Sequence, residues 1–323
     1  MSTQNTAAVA RDREVFASRL FDAPRHLVFR AWKDPIGISD WWGPRGFTTT
    51  THEMNFAPGG TWRFTMHGPD GVDYKNKVVY REVIESERLV YDHSGEDETD
   101  HISFVATITF EDEGDKTRLN FRMVFPTVEE RKHVEQFGAL EGLNHAVERL
   151  SEQLADSSDE EALEFLVTRS LHAPRELVFK AMTELEGLKN WWGPKDYTWI
   201  DCKLDLKPGG MFHYGMKQPN GDEMWGKLVY REIKSPERLA YAVSFSDREG
   251  NTLRAPFSEH WPLEVLATIN FTEHNGKTTL IMKTIPINAT AEEREIFISM
   301  FRSMELGWSG SFEKLAAYIT KVA

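Results

Sequence analysis

The spacing of apolar residues changes period along the chain, and each change marks an element. EVFASRLFDA at 14–23 and ALEFLVTRSLHA at 162–173 are strand-like runs. Pro24 and Pro174 follow, where a first helical turn tolerates a missing N–H. Leu27, Val28 and Ala31 then recur at helical spacing, as do Leu177, Val178 and Ala181. A second short helix is expected to stop at Trp41-Trp42-Gly43-Pro44 and at Trp191-Trp192-Gly193-Pro194, because Gly and Pro end helices. Beyond these points the period drops to two. Trp62, Phe64 and Met66 alternate with Arg63, Thr65 and His67, and Phe212, Tyr214 and Met216 repeat the pattern. Such alternation predicts antiparallel strands with one buried face. Gly-containing turns at 58–60, 69–71, 208–210 and 219–221 separate them.

The helical period returns at the end of each half. Val134, Phe137, Leu140, Asn144, Val147, Leu150 and Leu154 form one stripe. Phe297, Met300, Phe301, Met304, Trp308, Phe312 and Leu315 form the other. Thr127 with Glu130, and Thr290 with Glu293, have the spacing of a capping box ahead of each stripe. One long amphipathic helix packing on the sheet is therefore predicted for each half.

The two halves are copies of one another. SRLFDAPRHLVFRAWKDPIGISDWWGP at 18–44 and TRSLHAPRELVFKAMTELEGLKNWWGP at 168–194 share 13 of 27 positions. The offset of 150 persists through VVYREVIESERLVY at 78–91 and LVYREIKSPERLAY at 228–241, then slips to 161 where VATITF matches LATINF. The second copy thus carries an eleven-residue insertion near 242–265. Two domains follow, 14–154 and 162–322, joined by the acidic linker ADSSDEE at 155–161. The order of elements predicts an α+β fold, a curved antiparallel sheet around a C-terminal helix, made twice.

Composition narrows the function classes. A net charge of −13 in 323 residues opposes a general nucleic-acid binder, since phosphate contacts demand clustered Lys and Arg. No apolar run is long enough for a membrane span, and the N-terminus lacks an export-signal layout, so a cytoplasmic location is expected. The single Cys202 forms no internal disulfide and builds no cysteine-rich zinc site. The acidic stretch from Asp92 to His101 matches no calcium loop, so no metal is expected there. Gly307-Trp308-Ser309-Gly310-Ser311 has its second Gly one position too early for a serine-hydrolase elbow. No phosphate-binding Gly-rich loop follows a strand, so no nucleotide cofactor is implied.

The motifs APR.LVF.A, WWGP, PGG and VYRE…ERL.Y, followed by a terminal helix, resemble the START/SRPBCC helix-grip superfamily. The resemblance is to the branch named after the activator of the heat-shock-protein-90 ATPase, and it covers both copies. It implies a cavity between sheet and helix in a superfamily ranging from lipid carriers to aromatases and co-chaperones. The leading expectation is non-catalytic binding of a small apolar or amphipathic molecule, mainly in the second domain. Cavity candidates there are Phe212, Tyr214, Met216, Met224, Trp225, Trp261, Phe301, Met304, Trp308 and Phe312, because aromatics with Met suit an adaptable apolar cavity. Trp62, Phe64, Met66, Tyr74, Phe137 and Asn144 are weaker candidates in the first domain. Two alternatives stand beside this expectation. One is a co-chaperone-like module with a protein partner; the other is a cofactor-free cyclase or dehydratase acting on an aromatic or polyketide substrate. The second alternative would draw on Tyr74, His101, Asn144 and His145, or on His213, Tyr214, Glu259 and His260. No pair among them is a recognisable acid–base couple. The Trp-Trp pairs are expected to anchor the second short helix to the sheet.

Overall fold

The computed structural model describes residues 9–95, 102–136, 138–157, 159–194 and 196–323. The chain divides into two compact units, the first ending at Ala162 and the second beginning at Leu163.

In the first unit, strands β1 (Val9–Arg11) and β2 (Glu14–Phe21) precede helices α1 (Arg25–Lys33) and α2 (Ile38–Trp41). A meander follows: β3 (Thr48–Met54), β4 (Thr61–His67), β5 (Asp73–Ile84), β6 (Arg88–Gly95), β7 (Phe104–Asp112) and β8 (Thr117–Val124). The sheet order is β1-β2-β8-β7-β6-β5-β4-β3, antiparallel throughout, so the first long strand returns beside the last. Register shifts at Thr51/Glu53 and Tyr80/Glu82 mark bulges, which bend strands and raise their twist. The sheet closes on α3 (Val128–Gln136) and α4 (Ala139–Ala155), and one turn of helix, α5 (Asp159–Ala162), ends the unit.

The second unit repeats the plan with β9 (Phe165–Leu171), α6 (Arg175–Thr183), α7 (Leu185–Trp191), β10 (Thr198–Leu204), β11 (Met211–Lys217), β12 (Glu223–Lys234) and β13 (Arg238–Ser246). The insertion contributes β14 (Thr252–Leu253), which pairs with β13. Then come β15 (Val265–His274), β16 (Lys277–Pro286), α8 (Ala291–Ser299) and α9 (Phe301–Val322). Bulges recur at Tyr230/Glu232, the same place as in the first copy, and at Trp199/Asp201, two residues earlier than its counterpart.

Both copies are α+β helix-grip domains. The closing helix, however, is broken in each. In the first copy Gly138 turns the chain at φ +78°, a conformation that glycine adopts without strain. In the second, Met300 ends α8 and leads directly into α9. Both capping boxes form, with Thr127 and Thr290 accepting from the backbone N–H of Glu130 and Glu293. The periodicity ran on across each break because the two helices keep a common apolar face.

Two buried polar ties position the cores alike. Thr117 and Thr278 are fully buried and donate to the carbonyls of Ala23 and Ala173, each at 2.7 Å. Other ties differ between the copies. In the first unit Lys33 and Glu85 form a buried ion pair at 2.8 Å, where the second copy has Thr183 and Ser235. In the second unit Arg169 bridges from β9 to Glu305 and Ser309 on α9.

Candidate functional site

The concave face of the first sheet and the helices above it enclose a cavity of about 490 Å³ that opens to solvent. Met66 of β4, Tyr74 and Asn76 of β5, Tyr91 and His93 of β6, Phe104 of β7, and Phe121 and Met123 of β8 line the sheet side. Val134 of α3 and Gly138, Gly142, Leu143 and Ala146 cover it, and Trp42 to Pro44 with Phe47 complete the wall. The period of two explains the β6 contribution, because Leu89, Tyr91 and His93 share the inner face. His93 lies directly across from Phe104 in the neighbouring strand, and the rings stack at 4.4 Å and 8°. Its Nδ1 is sealed from solvent without a hydrogen-bond partner. Burial pushes the imidazole down to about 4, so it is neutral near pH 7. Burial also raises the Tyr91 phenol, whose oxygen has no partner either. Tyr74 sits at the rim against Phe47.

The second unit has a smaller space of about 250 Å³ lined by Trp192, Gly193, Pro194, Tyr214, Met224, Met304, Gly307, Trp308 and Ser311. The larger of the two spaces thus lies in the first unit, whereas the sequence pointed to the second domain, and one residue explains much of the difference. Arg149 bonds the carbonyl of Gly43 as Lys314 bonds that of Gly193, which fixes the correspondence between α4 and α9. Trp308 therefore occupies the place of Leu143. Its indole stacks on Phe312 at 5.4 Å and meets Trp192 edge-on at 5.9 Å, filling space left open in the first unit. Val243 and Val265 stand where the first copy has His93 and Phe104.

Of the second-copy candidates, Tyr214, Met224, Met304 and Trp308 meet at this smaller space. Phe212 is fully buried, stacked on Tyr214, and Met216 packs beneath Gly193, where an added Cβ would lie 2.4 Å from its sulfur. Phe301 and Phe312 belong to the core beside Phe165 and Trp191. Trp225 does not face the interior: it neighbours Met224 on the opposite side of β12, and its indole donates to Glu223. Trp261, from the insertion, packs on Phe297 at 5.4 Å and away from the cavity.

In the first copy Met66 and Tyr74 line the cavity, while Trp62 and Phe64 stack on each other at 4.0 Å within the core. Asn144 faces a narrow crevice with Arg19 and Phe121. Phe137 and His101 lie outside the described residues, as does most of the acidic stretch after Gly95. His145 approaches Glu141, His213 bonds the carbonyl of Asp247, and His260 pairs with Glu292 on the surface. Among the described residues no group of three or more His, Cys, Asp or Glu could hold a metal ion. None of their helices is long and apolar enough to cross a membrane.

The Trp-Trp pairs divide their work. Trp41 and Trp191 are fully buried and donate to the carbonyls of Ala31 and Ala181, anchoring the short helix to the one before it. Trp42 and Trp192 face the cavities. Sequence reasoning missed Tyr91, His93, Phe104, Phe121 and Met123. The signal for the first two was the alternation Leu89, Tyr91, His93, obscured because His93 falls within the acidic stretch from Asp92 to His101 and looked like part of a solvated hairpin tip.

Comparison with known proteins agrees with the duplicated architecture. The family model "Activator of Hsp90 ATPase homolog 1-like protein" matches residues 22–155 and again 172–320. No curated protein matches the chain significantly. Among solved structures, a protein from Arthrobacter aurescens is 23% identical with a TM-score of 0.45, covering 48% of this chain and 94% of its own. A Mycobacterium smegmatis protein is 22% identical with a TM-score of 0.44, covering 46% of this chain and 97% of its own. The di-domain ARO/CYC BexL of the BE-7585A biosynthetic pathway is 12% identical with a TM-score of 0.35, covering 94% of this chain and 98% of its own. With both halves matched by one family model, the chain belongs to the Activator of Hsp90 ATPase homolog 1-like family and carries its domain twice.

Proposed function

We propose that this protein binds a small apolar or amphipathic molecule, chiefly in the cavity of the first unit. The observation that carries the reading is the cavity itself, about 490 Å³ and lined mainly by aromatic, Met and aliphatic side chains. That volume lies within the range of about 300–1,000 Å³ of small-molecule sites. The second space, about 250 Å³, falls below it. Among the described residues the titratable groups lining the first cavity are Tyr74, Tyr91 and His93, a set without a carboxylate to orient the imidazole, which favours carriage over conversion. The second unit supplies a version of the same scaffold with about half the space.

The test replaces Leu143, which is half-buried at the cavity wall, by the residue found at its counterpart. N-phenyl-1-naphthylamine, an uncharged fluorescent probe, should bind the wild-type chain saturably. Leu143→Trp should weaken that binding at least tenfold. Probe at a hundred times its dissociation constant adds about 2.7 kcal/mol to the native state. A unit of this size should then melt roughly 5–10 °C higher. Saturable binding untouched by Leu143→Trp, or no saturable binding at all, would overturn the reading.

A further inference from the structure

Resting on the first-unit cavity as the binding site, we infer that its ligand is an uncharged, planar, largely aromatic molecule presenting a hydrogen-bond acceptor oxygen to His93. A ketone or quinone carbonyl is the simplest such group.

The plane of the imidazole is fixed. Cross-strand pairing sets His93 opposite Phe104, and the near-parallel stack of 8° fixes the ring plane. Nδ1 is sealed without a partner, which leaves Nε2 as the ring nitrogen open to the cavity. We assign the proton to Nε2, because a sealed and unpaired N–H costs more than a sealed and unpaired lone pair. The ring then acts as a donor, and what it lacks is an acceptor.

The other walls fix the remaining properties. Trp42, Phe47, Phe104 and Phe121 offer aromatic surfaces to a flat molecule. Among the described residues, no Lys, Arg, Asp or Glu lines this cavity. Among the described lining residues an ionised ligand finds no counter-charge to offset its lost hydration. Tyr91 does not distinguish the copies, since the hydroxyl of its counterpart Tyr241 is also unpaired. His93 does, because the second copy has Val243 in its place.

Three probes of one shape separate the properties: fluorene, 9-fluorenone and fluorene-9-carboxylate, each measured by competition against N-phenyl-1-naphthylamine on the full chain. 9-Fluorenone should bind about three- to tenfold tighter than fluorene, the range expected for one net hydrogen bond. The carboxylate should bind at least tenfold more weakly than the ketone. His93→Val copies a residue the scaffold already carries at this place, so the fold should tolerate it. This variant should abolish the preference for the ketone, read as the ratio of fluorenone to fluorene affinity in the same protein, while His93→Gln, which keeps a donor, should retain part of the preference. Equal affinity for fluorene and fluorenone, or a preference that survives His93→Val, would overturn the acceptor assignment and leave the cavity reading standing. Tightest binding by the carboxylate would overturn the uncharged class. If none of the three binds, or if Leu143→Trp has no effect on any of them, the cavity reading fails and this inference fails with it.

Discussion

Acidification should destabilise the first unit through His93, and the size of the effect follows from its surroundings. Above pH 6.5 the imidazole is neutral in both folded and unfolded chains, so it contributes no pH dependence. Below 6.5 the unfolded chain takes up a proton that the folded unit refuses until about pH 4. The unfolded state binds more protons across that window, so stability falls as pH falls and levels off below it. At about 1.36 kcal/mol per pH unit, the window amounts to at most roughly 3.4 kcal/mol. His26 acts in the same direction, since burial lowers it too. The His93 share is therefore read as a difference from His93→Val. Hydrogen exchange of the β6 and β7 amides, corrected for intrinsic rates, reports the opening free energy of this unit between pH 7 and 4. The wild type should lose about 2–3 kcal/mol more than the variant. Parallel curves for the two proteins would show that His93 titrates freely in the folded unit, and the neutral-donor argument would collapse with it.

Two further outcomes follow from the packing. Lys33→Ala breaks the buried ion pair with Glu85 and should cost the first unit about 3–5 kcal/mol in urea unfolding, whereas the pair Lys33→Met with Glu85→Leu should recover most of it; a loss under 1 kcal/mol in the single variant would contradict the burial of the pair. Trp308→Leu should enlarge the second cavity, cost that unit about 2–4 kcal/mol, and create a second site for N-phenyl-1-naphthylamine; unchanged probe stoichiometry would count against Trp308 as the residue that fills it.

How far the sequence reached depended on the kind of signal. The Pro24 and Pro174 helix starts, the Gly43 and Gly193 stops and the alternation of Trp62, Phe64 and Met66 are local, and the fold followed from them. The break at Gly138 was harder, because the apolar stripe continued across it and periodicity is blind to one left-handed residue. Cavity lining was harder still. Met224 and Trp225 are adjacent and both apolar, yet the pleat sends one inward and the other out to Glu223. Trp308 stood among the cavity candidates because a large aromatic either lines a space or fills it. Only the neighbouring rings of Phe312 and Trp192 show that it does much of the filling. His93 was legible by parity alone, but the charges after it outweighed that parity.

The correspondence of Leu143 with Trp308 also makes the chain its own reference. Two shells of shared ancestry sit in one molecule, at one concentration and in one solvent, and they differ at a helix position that governs how much room is left inside. Exchanging the two residues should move capacity from one half to the other while total composition stays constant. Errors in protein concentration, probe solubility or buffer then cancel in the ratio of the two halves, a cancellation that comparison between separate proteins does not offer.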